Sequence, residues 1–459
     1  MSYPRPLSKA VVFCTLAFAG ILQGCGSGTR PENPSSTSPT GNTSAIWVGA
    51  WGASMADATA VDDNKGGTER SFRFLVTSTI DGTQARVKFS NVYGTTPVTL
   101  GAARIARGTD GSPAIDPAHD AGLTFSGSKS TTIAPGTTVT SDPVTFSFGL
   151  GQVLAISVYL KGSFQSVSRH DALFITNYTS ADGAGDVTAD SAGTAFTGTL
   201  ADWLLVNEVD VYGPYQGTLA MFGSSTTDGF KSNYSSDRVY PTPNVPVAGQ
   251  HADRVTDWMA RRLAAAGYRV GVLNAGLPGN PVTSLPGATP SPNQRFAQDI
   301  LTLPNLLGIV SYFGSIDLRS SDCVSAPAME TGTQQLLASA AAAKLPVVLA
   351  TLPPTALCSN PSQANYGPLP SPADPYEGGL TPGPANGAEV QRSAFNQWIR
   401  STGSSLPGVA GIADYDQALR DPAHSSFMLP QYNAGDNFHM NGQGYGAEAS
   451  AVPLSFLPK

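Results

Sequence analysis

The chain has 459 residues, and at about 100–200 residues per domain this length holds two domains with extra segments, each able to bury its own core. Only 13% of residues are charged while Gly and Pro number 49 and 36, a balance that suits a strand-rich, loop-rich exported protein better than a cytosolic helical one. The formal net charge is −7 with no basic stripe, so phosphate backbones find nothing to bind and a nucleic-acid partner is argued against.

Residues 1–25 read as a targeting segment. Arg5 and Lys9 supply a positive start, and the apolar run from Ala10 to Leu22 is too short to span a bilayer. The run ends in Leu22-Gln23-Gly24-Cys25, which resembles a bacterial lipoprotein box with Cys25 as the lipidated residue; an ordinary secretory signal with a chance cysteine is the alternative. No later stretch is apolar for long enough to be a membrane helix, so contact with a membrane is expected only through a lipid anchor. Residues 26–45 are Gly, Ser, Thr, Pro and Asn with almost nothing apolar, as expected of a flexible tether.

Residues 46–214 carry short alternating or β-branched runs, among them FRFLVTSTI, ARVKFSNV, VTLGAARIA and VLAISVYL, separated by turn signals. Such spacing predicts an all-β sandwich, jelly-roll-like in kind. From 215 to 459 the pattern changes. The apolar runs TLAMFG, RVGVLNAG, LLGIVSYFG, PVVLATL and VAGIADY alternate with helical stretches near 249–267, 329–344, 386–402 and 442–452. That alternation predicts a parallel sheet covered on both faces by helices, in which ligands bind beyond the carboxyl ends of the strands.

The first apolar run ends in Gly223-Ser224-Ser225-Thr226-Thr227-Asp228-Gly229, which places the Ser225 hydroxyl at a strand-to-loop junction where an acyl group can reach it. Helix capping by the two serines is the plainer alternative. A nucleophilic serine needs a base, and the base an orienting carboxylate. Of five histidines, His119, His424 and His439 each follow an aspartate by three positions, so the spacing alone decides nothing. Asp116 to His119 reads as a loop in the β region and Asp421 to His424 as a surface turn. Asp436-Asn-Phe-His439 stands just before the last helix, which the following Met440-Asn-Gly-Gln-Gly-Tyr-Gly-Ala opens, and His170 and His251 read as structural or surface residues.

Taken together these segments resemble the GDSL, or SGNH, serine-esterase family, in a form with a β-sandwich ahead of an α/β/α, flavodoxin-like hydrolase domain. The resemblance implies Ser225 as nucleophile, His439 as general base and Asp436 as orienting acid. Asn274-Ala-Gly276-Leu-Pro-Gly-Asn280 is similar to the family's second block, which implies the Gly276 N–H as an oxyanion donor. Two positions depart from the family pattern: Ser224 stands where the first block has Asp, and Ile316, in Gly314-Ser-Ile316-Asp317, where the third has the oxyanion Asn.

The resemblance implies hydrolysis of short acyl esters, such as acetyl groups on polysaccharide, with no metal or cofactor. A weakened scaffold that binds a glycan or envelope component is the alternative, and transfer of the acyl group to a sugar hydroxyl a third. Beyond the leader, Cys323 and Cys358 are the remaining cysteines, and two cysteines in an oxidising compartment suggest one disulfide. The segment from Pro353 to Ala388, rich in Pro, Gly, Ser and Asn, reads as a long cleft-shaping loop.

Overall fold

The computed structural model describes residues 44–57, 66–171, 175–232, 253–284, 289–319, 324–354, 387–434 and 438–459. The leader and Cys25, nearly all of the tether, His251, Cys323, Cys358, Asp436 and most of the long loop lie outside these residues.

The N-terminal part is built from antiparallel sheets. One orders the strands Ile46–Gly52, Val206–Gly213, Gly82–Ser90 and Thr138–Thr140, with Val144–Phe148 also on Gly82–Ser90. A second runs Gly198–Leu200, Asn177–Thr179, Gly67–Thr77, Val153–Phe164, Val98–Thr109 and Ser112–Gly122, with Thr131–Ile133 on Val98–Thr109, and Arg169–Asp171 pairs with Asp202–Leu204 in a two-stranded third. Alternation does the work expected of it in Gly82–Ser90: Ala85, Val87 and Phe89 are buried while Gln84, Arg86 and Lys88 lie less covered on the other face. These sheets feed one core that includes Phe72, Phe74, Ile156, Val209 and Trp203.

One expectation fails here. Asp116 to His119 lies within the strand Ser112–Gly122, not in a loop. This strand is the sheet's edge, and its register to Val98–Thr109 slips between Ala106 and Gly108, opposite the turn-like residues. An edge position with a bulge is where a sheet accepts a proline such as Pro117.

The C-terminal part holds five parallel strands: Gly217–Gly223, Val270–Gly276, Leu306–Tyr312, Val347–Ala350 and Val409–Ala413, here called the first to fifth. Their order in the sheet is second, first, third, fourth, fifth. The first two are buried along their whole length, as strands covered on both faces must be. The helices are α1 (Ser225–Asp228), α2 (Val255–Ala265), α3 (Pro292–Asp299), α4 (Ser315–Arg319), α5 (Ala326–Ala342), α6 (Ala388–Arg400), α7 (Tyr415–Leu419) and α8 (Gly442–Ala451). Among them α2, α7 and α8 pack together, and α3, α5 and α6 form a second group. The strand order reverses around the first strand, so the topological switch point, beyond which such sheets bind ligands, lies where that strand ends, at Ser224 and Ser225.

The helix α3 has no counterpart among the predicted stretches. Its local signal is present, since Ser291 and Gln294 form a reciprocal capping box around Pro292.

Candidate active site

Ser225 is the first residue of α1, a single turn that starts directly after the first strand. Ser224 occupies the N-cap position with no side-chain capping bond, and its Oγ lies 3.4 Å from Thr226 Oγ1. The turn is tight on both sides. A Cβ on Gly223 would meet Thr227 Oγ1 at 1.9 Å and Tyr312 O at 2.7 Å, and Gly229 ends the turn at a φ of 100°, a conformation open mainly to glycine.

His439 comes to this turn from the other end of the chain. The Ala434 N–H donates to His439 O at 3.0 Å, and Asn441 caps α8 by accepting from the Gln443 and Gly444 N–H groups. Between these anchors the imidazole is held edge-on by Phe230 and Phe438, with ring centroids 4.6 and 4.5 Å away. The Tyr445 hydroxyl donates to Phe230 O at 2.6 Å and so ties the last helix to the loop after Ser225. Ser225 Oγ and His439 Nε2 meet at 2.9 Å, although 214 residues separate them. Both side chains keep a small opening to solvent, 7% for Ser225 and 6% for His439.

Residues 221–447 match the model of the GDSL-like lipase/acylhydrolase family. This span is a GDSL-like acylhydrolase domain. A comparison with curated proteins finds no match. Among solved structures, a carbohydrate acetylesterase family member from Sinorhizobium meliloti is similar at 17% identity and a TM-score of 0.35, over 51% of this chain and 94% of that one. The inhibitor-bound aryl esterase of M. smegmatis is similar at 14% identity and 0.36, over 52% and 99%.

In the acylhydrolase domain, the second block is bound tightly to the turn that carries Ser225. Asn274 Nδ2 donates to Thr227 O at 2.8 Å and Asp228 O at 3.2 Å, while Asn274 Oδ1 accepts the Gly276 N–H at 2.8 Å. The oxyanion donor expected of Gly276 is therefore already engaged in this structure. The third block keeps its aspartate, and the structure gives it a job: buried Asp317 accepts from Val282 N and Thr283 N at 2.8 and 3.0 Å and from Thr283 Oγ1 at 2.5 Å. Burial outweighs these bonds and pushes the Asp317 carboxyl above its usual range. Ile316, beside it on α4, is half-buried and has no polar atom to offer.

Three residues that sequence patterns did not single out converge on the same place. Arg295 of α3 is 1% exposed; its guanidinium donates to Gly223 O, Ala275 O and Asn280 Oδ1 at 3.0, 3.0 and 2.8 Å, and pairs with Asp299 at 2.8 Å. It thus staples the ends of the first and second strands together. Ser54 and His170 reach in from the sandwich, His170 Nε2 lying 3.0 Å from Asp228 Oδ1. His170 is structural in the sense expected of it, yet it is buried against the Ser225 turn and not at a surface. Of the five histidines, His119 and His424 lie beside Asp116 and Asp421, away from Ser225. Among the described residues no cluster of His, Cys, Asp and Glu is placed to hold a metal ion.

Proposed function

We propose that this chain is an exported serine carboxylester hydrolase that removes short acyl groups, with acetyl decorations of extracellular or envelope polysaccharide as the substrate class. The observation that carries this reading is the 2.9 Å contact between Ser225 Oγ and His439 Nε2 at the end of the first parallel strand of an acylhydrolase domain. His439 takes the Ser225 proton as Oγ attacks the ester carbonyl, then gives it to the leaving alkoxide as the tetrahedral intermediate collapses to an acyl-serine. Water, deprotonated by the same imidazole, releases the acid and restores the hydroxyl. Asp436 is assigned to the second ring nitrogen, as the carboxylate that fixes the tautomer.

The oxyanion is assigned to the N–H of Ser225, which as the first helical residue has no intrahelical acceptor, and to Gly276 once Asn274 Oδ1 gives way to the substrate. The leader 1–25, the tether 26–45 and a lipidated Cys25 would hold the folded body clear of a membrane surface, next to such polysaccharide. A Cys323–Cys358 disulfide would brace loops after the third and fourth strands.

A second reading has its own support. With Ile316 in the third block and the Gly276 N–H engaged, the scaffold is short of oxyanion donors, which fits a glycan-binding protein of low turnover. Hydrolysis of a chromogenic acetyl ester by the mature protein and by Ser225→Ala separates the two. Turnover that vanishes in the variant is expected of the esterase; equal background rates in both would leave only the binding protein.

A further inference from the structure

His170 is 0% exposed and sits against the Trp203 ring, 5.4 Å between centroids, which packs in turn on Trp51. Its ring nitrogens face two acceptors: Nδ1 lies 2.6 Å from Ser54 O, and Nε2 lies 3.0 Å from Asp228 Oδ1. A carbonyl oxygen and a carboxylate only accept, so with Asp228 ionised both bonds form together on the doubly protonated ring. The result is an imidazolium–carboxylate pair with no access to water. Such a pair contributes little net stability compared with apolar packing, so its presence asks for another use.

Its place supplies one. Asp228 closes the turn that Ser225 opens: the Asp228 N–H donates to Ser224 O at 2.9 Å and the Gly229 N–H to Ser225 O at 3.0 Å. Ser54 also makes a second link, its Oγ accepting from Arg295 at 3.2 Å, and Arg295 holds the strand end at Gly223.

We propose that the β-sandwich is a working part of the active site: doubly protonated His170 fixes Asp228, and through it the Ser225 turn, where Oγ meets His439. This rests on the esterase reading above. His170 is a positioning residue, since it touches neither Ser225 Oγ nor His439. Burial by itself pulls the imidazole pKa down, but the charge and hydrogen bond of Asp228, the Ser54 carbonyl and the charge of Asp171 outweigh it, and the net direction is upward. Charged groups nearby include Arg254, which feels Asp228 and is itself paired with Asp257 at 2.9 Å, Arg169, 4.0 Å from Asp171, and Arg295 on Ser54. A group raised in the folded state gives its full stabilisation below its ordinary value, about 6.5, and loses it as pH climbs through the raised value. Removing one proton orphans either Ser54 O or Asp228, and the turn relaxes. Activity should therefore fall on the alkaline side through this residue, opposite in sign to the acidic loss caused by protonating the base His439.

The test is kcat and KM against pH on a chromogenic acetyl ester for the full-length protein, His170→Gln, Asp228→Asn and a sandwich-core control, Phe146→Leu, each with its Tm. Nitrogen NMR of the wild-type imidazoles accompanies it. The wild type should show both His170 nitrogens protonated at neutral pH. His170→Gln should lose kcat on the order of 10²-fold, the scale of a small misplacement of a reacting group, with little change in KM and no alkaline limb from this group. Asp228→Asn should keep much of the wild-type kcat, because its amide donates to the Nε2 of a neutral His170, and should also lack the limb. The inference alone is overturned if the wild type turns over and His170→Gln keeps its kcat and its limb, or if kcat falls only as Tm falls in Phe146→Leu. A wild type with no Ser225-dependent turnover overturns the esterase reading, and the inference with it.

Discussion

At the scale of single residues, the position to test is Ile316. It opens no hydrogen bond toward the crevice, and one missing oxyanion donor typically costs about 10²–10³ in turnover. The side chain is half-buried on the first turn of α4, so an amide of smaller volume can be placed there without a buried clash. Ile316→Asn is expected to raise kcat by about 10-fold or more with a smaller change in KM, as befits a group that acts in the transition state. Steady-state rates of the two proteins decide it; an unchanged kcat in an active parent would mean that another donor already fills the place. A second residue carries a different kind of load. Arg295 spends its donors on Gly223 O, Ala275 O, Asn280 and Asp299, a planar fork that an ammonium cannot copy. Arg295→Lys is expected to lower stability by about 3–5 kcal/mol, the cost of breaking a buried network, measured by urea unfolding; a loss under 1 kcal/mol would refute the staple.

At the scale of elements, α8 joins the candidate site to an apparent defect. Its N-terminus presents His439 and the capping Asn441, while one turn from its end Glu448 is fully buried, and among the described residues neither of its carboxyl oxygens has a hydrogen-bond partner. Burial pushes its pKa well above the usual carboxylate range. The folded state therefore holds the proton more tightly than the unfolded chain, and stability falls as pH rises past about 4.3 toward the raised value. Glu448→Met keeps the volume and removes the buried polar group, so it should stabilise the protein by about 1–3 kcal/mol at neutral pH and by less at pH 4–5. Tm measured at both pH values gives the answer, and a gain of the same size at both would show that Glu448 is not the titrating group. The same elements show what a sequence can and cannot display. The strands around Ser225 and the helix after His439 were legible because apolar runs and glycine turns are local, and the hydroxyl and imidazole stand where those runs stop. The clamp of Ser54, His170 and Arg295 was not. Each of its bonds joins residues dozens to hundreds of positions apart, and a lone buried histidine in a β region has no pattern of its own. The Gly276 N–H was assigned by its block, but its partner Asn274 Oδ1 is two residues away and is visible only as a side-chain orientation.

At the scale of the whole molecule, the two cores are joined along a seam with no room for an extra atom. The Gly49 N–H donates to Thr218 Oγ1 at 3.0 Å, and Thr79 Oγ1 both donates to Val272 O at 2.8 Å and accepts Val272 N–H at 3.1 Å. The sandwich strand Ile46–Gly52 lies against both the first and the second parallel strands, and near the end of the second Asn274 braces the Ser225 turn. A Cβ at Gly271 would sit 2.0 Å from Gly49 O, a backbone atom that cannot swing aside. Gly271→Ala must push the two parts apart, at a cost of about 1–3 kcal/mol for overpacking. Its effect should not stop at stability. In the wild type the parts are coupled through Thr79, Ser54 and His170, so heating should melt both in one transition whose calorimetric and van't Hoff enthalpies agree. In Gly271→Ala the seam opens, the transition should broaden or divide, and the calorimetric enthalpy should exceed the van't Hoff value. If the variant melts as sharply as the wild type, only at a lower temperature, the seam is tight but does not transmit order. The sandwich would then steady the Ser225 turn through the His170–Asp228 and Ser54–Arg295 bonds alone.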